Sequence, residues 1–266
     1  MKPVVLDGTS VALDGVPVVT GLSLEVDAGE WVGLIGPNGA GKTTALRAVA
    51  GLVEYTGRIR VFGEEVGSLH RRDVARRIAL VPQTPVIPPD MSVLEYVLLG
   101  RTPHLGYLSS PGRADILSSR SALGRLDAAH LVDRRLGSLS GGERQRAVLA
   151  RAIAQEARLV LLDEPTTSLD VGAQQHVLEL VAGLRAGGNL TVLSAMHDLT
   201  VAGQYTDRLV LLDGGREMAS GPPAEVLTEE LIARHYGAHV HVVSDPQAGI
   251  AVVPLRRGIE AEERVR

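Results

Sequence analysis

The stretch Trp31-Val-Gly-Leu-Ile-Gly-Pro-Asn-Gly-Ala-Gly-Lys-Thr43 decides how this chain is read. Trp31–Ile35 contains no polar side chain other than the indole and reads as a short buried strand. From Gly36 to Thr43 the residues fit the phosphate-binding pattern G-x-x-x-x-G-K-S/T, placed between that strand and a helix expected over Thr43–Gly51. Gly36, Gly39 and Gly41, with Pro37, Asn38 and Ala40 between them, let backbone N–H groups converge on phosphate oxygens. The helix N-terminus adds the positive end of its dipole. Lys42 then reaches the β- and γ-phosphates of a nucleotide such as ATP, and the Thr43 hydroxyl, followed by Thr44, can ligate Mg²⁺. In a chain of this composition the pattern arises by accident about 0.003 times. Of 27 basic residues only Lys2 and Lys42 are lysines, so one of the two stands where a compact ammonium is needed.

Outward from the loop, strands and helices alternate. Val4–Leu6, Leu22–Val26, Arg58–Phe62, Ile78–Val81, Leu159–Leu162, Thr191–Ala195 and Arg208–Leu212 read as strands, and Leu69–Arg77, Gly172–Arg185 and Leu199–Gln204 as helices. This predicts an α/β chain with a mostly parallel sheet flanked by helices. Between Pro82 and about Ser138 the texture changes: five prolines punctuate helical segments and no strand pattern is evident. The expected organisation is one domain over 1–266. Residues 1–82 and 156–221 form its nucleotide-binding core, 83–155 an inserted helical subdomain and 222–266 a C-terminal extension. That extension should hold two short helices and two strands, Val240–Val243 and Ile250–Val253.

Composition removes several function classes. With 45% hydrophobic and 22% charged residues, the 266-residue chain is not disordered. A formal charge of −4 argues against a nucleic-acid partner. The absence of Cys excludes disulfides and thiolate metal sites. No apolar run approaches the roughly 18 residues of a membrane span, and Met1-Lys2-Pro3 leads straight into a strand-like run, so a soluble, cytosolic chain is expected. His235, His239 and His241 have no carboxylate at ligand spacing and read as tail surface.

Two further motifs carry chemistry. Leu159-Val-Leu-Leu-Asp163-Glu164 is an apolar strand ending in two carboxylates. Beside a phosphate loop, Asp163 would hold Mg²⁺ through water and Glu164 would polarise a water for attack on the γ-phosphate. Leu139-Ser140-Gly141-Gly142-Glu143 opens a helix whose Val148, Leu149, Ala152 and Ile153 form a core stripe. Its bare N–H groups offer a second anion site, although Ser140 and Glu143 equally satisfy an ordinary capping box.

In this order the phosphate loop, Leu139–Arg146, Leu159–Pro165 and a downstream histidine resemble the ATP-binding subunit of ABC transporters, over essentially the whole chain. The resemblance implies a P-loop NTPase core with an N-terminal antiparallel β part. It also implies a head-to-tail dimer, in which each ATP lies between Gly36–Thr44 of one copy and Ser140–Gly142 of the other. Gln83 matches the glutamine that contacts Mg²⁺ or water and touches the membrane partner. Ser168-Leu169-Asp170 matches the loop that communicates across the dimer, and His197 the histidine that contacts the γ-phosphate. Where the family stacks adenine on an aromatic ring, this chain carries Leu13, which has no π-face.

Gly100-Arg-Thr-Pro-His-Leu-Gly106 and the His235-Tyr-Gly tail are similar to ATPases of importers for iron–siderophore, haem and cobalamin. That group implies a dimeric membrane permease, with Gln83–Gly106 as its docking surface, and indirectly an extracytoplasmic substrate-binding protein. The subunit would sit on the cytoplasmic side of the membrane, held there by the permease. Other importer or exporter classes, or a non-transport ATPase, are the alternative. Against the last stand a single motif set and the lack of sustained heptads.

Overall fold

The computed structural model describes residues 1–106, 109–167, 169–187, 190–245 and 249–256. Strands β1 (Val4–Leu13), β2 (Val16–Val26), β4 (Thr56–Val61) and β5 (Glu64–Glu65) form an antiparallel sheet in the order β2-β1-β4-β5. A second sheet contains β3 (Trp31–Ile35), β6 (Ile78–Val81), β7 (Leu159–Asp163), β8 (Thr191–Ala195), β9 (Arg208–Asp213) and β10 (Arg216–Gly221). Its order is β10-β9-β3-β8-β7-β6, parallel throughout except at β10. The mostly parallel sheet and the antiparallel N-terminal part are thus as the sequence implied.

Burial on both faces explains the near-continuous apolar strands. Leu159 and Leu161 of β7 join a core with β1, β2 and helix α1 (Lys42–Val49). Val160 and Leu162 alternate into a second core, which includes α3 (Val93–Leu98), α4 (Arg113–Arg125), α5 (Gly141–Ala154) and α6 (Val171–Ala186). Helix α1 packs on β7 and β8 on one side and on β1, β2 and β4 on the other, so it lies between the sheets. Helix α2 (Arg71–Arg77) precedes β6. Across the parallel ladder Leu34 lies opposite Ala195, and Ala195 opposite Asp163. The loops leaving β3, β7 and β8 therefore emerge side by side at the carboxyl edge, where open α/β sheets place ligands.

Several elements differ from the sequence reading. Val4–Leu6 and Leu22–Val26 are parts of two much longer strands joined at Asp14-Gly15. Register shifts between Leu6 and Thr9 and between Thr9 and Val11 break the alternation that would have revealed them. Polar β10 carries no strand pattern; it is held by pairing with β9. Helix α7 (Leu199–Tyr205) precedes β9, and the tail forms α8 (Pro223–Val226), α9 (Glu229–Tyr236), and a hairpin of β11 (Val240–Asp245) and β12 (Gly249–Pro254). His239 and His241 are exposed, but His235 is a correction to the tail-surface reading: its Nδ1 lies 2.9 Å from Asp213 and its side chain is 11% exposed. Among the described residues no helix is long and apolar enough to cross a membrane.

The Gly100–Gly106 stretch also differs, because its arginine faces inward. Arg101 is buried, with Nε 3.1 Å from Asp115 Oδ1, an ion pair to Glu156 at 2.9 Å, and Nη1 donating to the Ala154 carbonyl at 2.7 Å. His104 Nε2 lies 2.8 Å from the Gln155 carbonyl, and Arg72 and Arg76 both donate to Pro103 O. The stretch is a bracket joining α2, α4 and the end of α5. Within Gln83–Gly106 the large apolar side chains that face solvent are Val86 and Leu99.

Arg101→Ala removes the buried guanidinium that Asp115, Glu156 and the Ala154 carbonyl share. It is expected to lower the melting temperature by about 5 °C or more, at roughly 2–4 °C per kcal/mol for a chain of this size. ATPase of the folded fraction should be retained. An unchanged melting temperature with transport lost would return Arg101 to the docking face.

Candidate active site

Gly36 leaves β3 with φ +147°, and a Cβ there would overlap the Leu212 carbonyl oxygen. Gly41, the residue before α1, has φ +95°, and its Cβ would stand 2.7 Å from Val18 O. Only glycine fits either place. The loop they bound lets Lys42 fold back, donating from Nζ to Gly36 O at 2.6 Å and Pro37 O at 3.1 Å. Burial draws the Lys42 ammonium below its ordinary range, and the charges of Glu164 and Asp163 act in the opposite sense.

Thr43, one residue into α1, donates its hydroxyl to Asp163 Oδ1 at 2.8 Å. Asp163 is 3% exposed at the end of β7. Burial raises its carboxyl above the usual range and the nearby Glu164 charge adds to this, while the Thr43 hydrogen bond opposes it. A hydroxyl and a carboxylate here, with the Gln83 amide nearby, are the hard oxygen donors that suit Mg²⁺. Among the described residues no group of three or more His, Cys, Asp or Glu is arranged for a metal, so such an ion would complete its shell with phosphate oxygens and water.

Glu164 has φ +51°, unusual for a residue with a side chain and worth roughly 1–3 kcal/mol of strain. Its backbone N–H donates to Ala195 O at 3.0 Å, so pairing with β8 holds the turn in place. The carboxylate is 8% exposed and contacted from three loops: Gln83 Nε2 donates to Oε2 at 2.6 Å, Thr167 Oγ1 at 3.1 Å, and His197 Nε2 pairs with Oε1. A cavity of about 420 Å³ is lined by Asn38–Thr44 together with Gln83, Glu164 and His197. Val18 of β2 lines it too, and neither its strand nor its residue type marks it in the sequence. Leu13 lies outside this lining, paired with Val16 at the hairpin end and 39% exposed.

Ser140, Gly141 and Gly142 line a separate cavity of about 360 Å³, with Asp170, Arg146 and His176. The capping box is present: Glu143 N donates to Ser140 Oγ at 3.3 Å and Ser140 N to Glu143 Oε2 at 2.8 Å. The backbone N–H groups of Gly141 and Gly142 are not part of it. Asp170 caps α6, accepting from Ala173 N at 2.8 Å. Ser168 lies outside the described residues. One copy of the chain thus carries a phosphate loop and a glycine-opened helix end in two different cavities.

A family model described as ABC transporter matches residues 19–167. The chain is 39% identical over 252 residues to a hemin import ATP-binding protein of Rhodococcus jostii, covering 94% of this chain and 85% of that one. It is 39% identical over 242 residues to the ferric enterobactin transport ATP-binding protein of Escherichia coli, covering 90% and 89%. The fold superposes with a TM-score of 0.84 on a structure described as a metal-chelate type ABC transporter in an inward-facing conformation, at 28% identity and covering 97% of this chain and 99% of that one.

The raised Asp163 carboxyl has a consequence for stability. Its folded value lies above the ordinary 3.8, so the associated stability is full below 3.8 and is lost as pH rises through the folded value. Burial therefore makes the ionised form of this carboxyl less favourable in the folded chain than in the unfolded one. Asp163→Asn, whose amide oxygen still accepts the Thr43 hydroxyl, is expected to melt at or up to about 3 °C above wild type. Hydrolysis should fall by about 100-fold or more. Melting several degrees below wild type would show that the charged form is the stabilising one.

Proposed function

We propose, from the premise that this chain belongs to the ABC transporter family and is the ATP-hydrolysing subunit of an importer, that two copies close head to tail around two ATP molecules. The observation that carries this is the separation of the two anion-binding ends: Asn38–Thr44 and Ser140–Gly142 line different cavities of one copy. A second copy, rotated about a two-fold axis, brings its helix end over the first copy's loop. Each γ-phosphate is then gripped from both sides, by Lys42 and the loop amides and by the opposing Ser140 turn.

The chemistry within each half follows from the side-chain contacts. Glu164, fixed by Gln83, Thr167 and His197, accepts a proton from the water that attacks the γ-phosphate. His197 is 43% exposed and reaches the γ-phosphate from its other side, so it links Glu164 to the presence of that group. Bound Mg²⁺, held by Thr43, Asp163 and Gln83, would neutralise charge on the β- and γ-phosphate oxygens. Asp170 sits beside Ser140 and contacts the opposite copy. Leu13, exposed at the hairpin end, offers the base no aromatic face, so most binding energy comes from the triphosphate and base discrimination is weak.

The wider assembly is read from the relatives. Residues 1–82 and 156–221 act as the nucleotide-binding core, 83–155 as a helical subdomain facing a dimeric permease, and 222–266 as an extension. Closure of the dimer passes through Gln83 and the exposed apolar residues Val86 and Leu99 to the permease, which holds the subunit at the cytoplasmic side of the membrane. The cargo is a metal chelate, an iron–siderophore, haem or cobalamin, delivered by an extracytoplasmic binding protein. Support for this class comes from the hemin and ferric enterobactin relatives.

Glu164→Gln can keep the bonds that Gln83 and Thr167 donate, on its amide oxygen, but removes the base, and should trap the closed dimer. Light scattering is expected to show a dimer with ATP, with GTP effective at concentrations within about tenfold. A Glu164→Gln protein that stays monomeric at millimolar ATP would sink the composite site.

A further inference from the structure

The C-terminal helix α9 reaches the phosphate loop at two points. His235 lies 2.9 Å from Asp213 with about a tenth of its side chain exposed. Asp213 ends β9 directly after Leu212, whose carbonyl oxygen is the group that presses against Gly36. A shift of the β9 end therefore passes to the first residue of the loop with no side chain between them to absorb it. Tyr236 buries its hydroxyl against the Gly36 main chain, with no hydrogen bond of good geometry.

The helix carrying both residues is itself fixed. Ile232 is 2% exposed in the core, and Thr228 caps the helix by accepting from Leu231 N at 3.2 Å. Glu229 accepts from Val242 N at 3.2 Å and lies 2.9 Å from His241 Nδ1, which ties α9 to β11. The turn after Asp213 reaches the same loop from the other side. Gly215 O accepts from Thr20 N at 2.8 Å, and two residues earlier Val18 lines the phosphate cavity and abuts Gly41. Both glycines that bound the loop are thus backed by groups connected to Asp213.

We propose that His235 and Tyr236 are positioning residues for the phosphate loop, α9 clamping the end of β9 against Gly36 so that the loop amides keep the spacing that phosphate oxygens need. This rests on the reading of Gly36–Thr44 as the nucleotide site. Neither residue touches the reacting atoms. Their effect is on how well the loop is pre-formed, which acts alike on bound substrate and transition state and so enters KM and not kcat. A role limited to packing would lower stability and leave the KM of the folded fraction unchanged.

The test compares ATPase kinetics and melting temperature for the wild-type chain, His235→Ala, His235→Asn and Tyr236→Phe, with Lys42→Ala as control. An Asn amide nitrogen occupies the place of the histidine Nδ1 and can still donate to Asp213. His235→Ala is expected to raise KM for ATP about 3- to 10-fold with kcat within about twofold, and His235→Asn to restore KM to within about twofold. Tyr236→Phe should raise KM about 2- to 5-fold. If His235→Ala does not fold, Asp213→Ala carries the same expectation. An unchanged KM in His235→Ala, or an equal rise in His235→Asn, overturns the proposal. ATP bound by Lys42→Ala as tightly as by wild type would instead overturn the reading of the loop, so the two failures are distinguishable.

Discussion

The Thr43 hydroxyl donates to the Asp163 carboxylate at 2.8 Å, joining the first turn of α1 to the end of β7 across 120 residues of chain. That bond sets where the phosphate loop stands relative to the acidic edge of the sheet. It forms because β3, β8 and β7 lie side by side in parallel register, and α1 is pressed between the two sheets by apolar residues on both sides. The cores on the two sheet faces thus hold in place a carboxyl whose charged form burial disfavours.

From that point the remaining groups follow by adjacency. Glu164 is the next residue after Asp163, and its left-handed backbone turns the carboxylate toward Gln83 and His197. Each partner sits on a loop leaving a different strand, so movement of any one loop is felt at the same two oxygens. Gln83 leads into the helices that precede α5, and Ser140 caps the start of α5. A path therefore runs from the Glu164 carboxylate, through α3 and α5, to the glycine turn that lines the second cavity. The phosphate cavity and the glycine turn are thus joined through one layer of packed helices, reached from Gln83 by the loop that precedes α3.

What was legible in the sequence is what local chemistry controls. Gly36–Thr43 needs glycines within a few residues of a lysine, and Leu159–Glu164 needs an apolar run ending in acids; both patterns survive whatever the rest of the chain does. The structure brings Lys42, Thr43, Gln83, Glu164 and His197 to one cavity, with Asp163 hydrogen-bonded to Thr43 behind it. Features that depend on distant partners were not legible. The bulges hid most of β1 and β2, and β10 is a strand only because β9 lies beside it. Arg101 resembled a surface arginine until Asp115, Ala154 and Glu156 enclosed it. His235 found its carboxylate 22 residues upstream, a separation that metal-ligand spacing does not survey.

A working site shared by two copies can be spoiled from either side. Lys42→Ala spoils the loop of its own chain and Ser140→Arg spoils the helix end that serves the opposite chain. Each homodimer is then defective at both sites. A mixed dimer pairs the sound loop of the Ser140→Arg chain with the sound Ser140 turn of the Lys42→Ala chain. Measuring ATP hydrolysis as the two inactive proteins are mixed in varying ratio tests this sharing most directly. Activity is expected to appear on mixing and to peak near equal amounts, at no more than part of the wild-type rate. Full activity in Ser140→Arg alone, or none at any ratio of folded proteins, would contradict it.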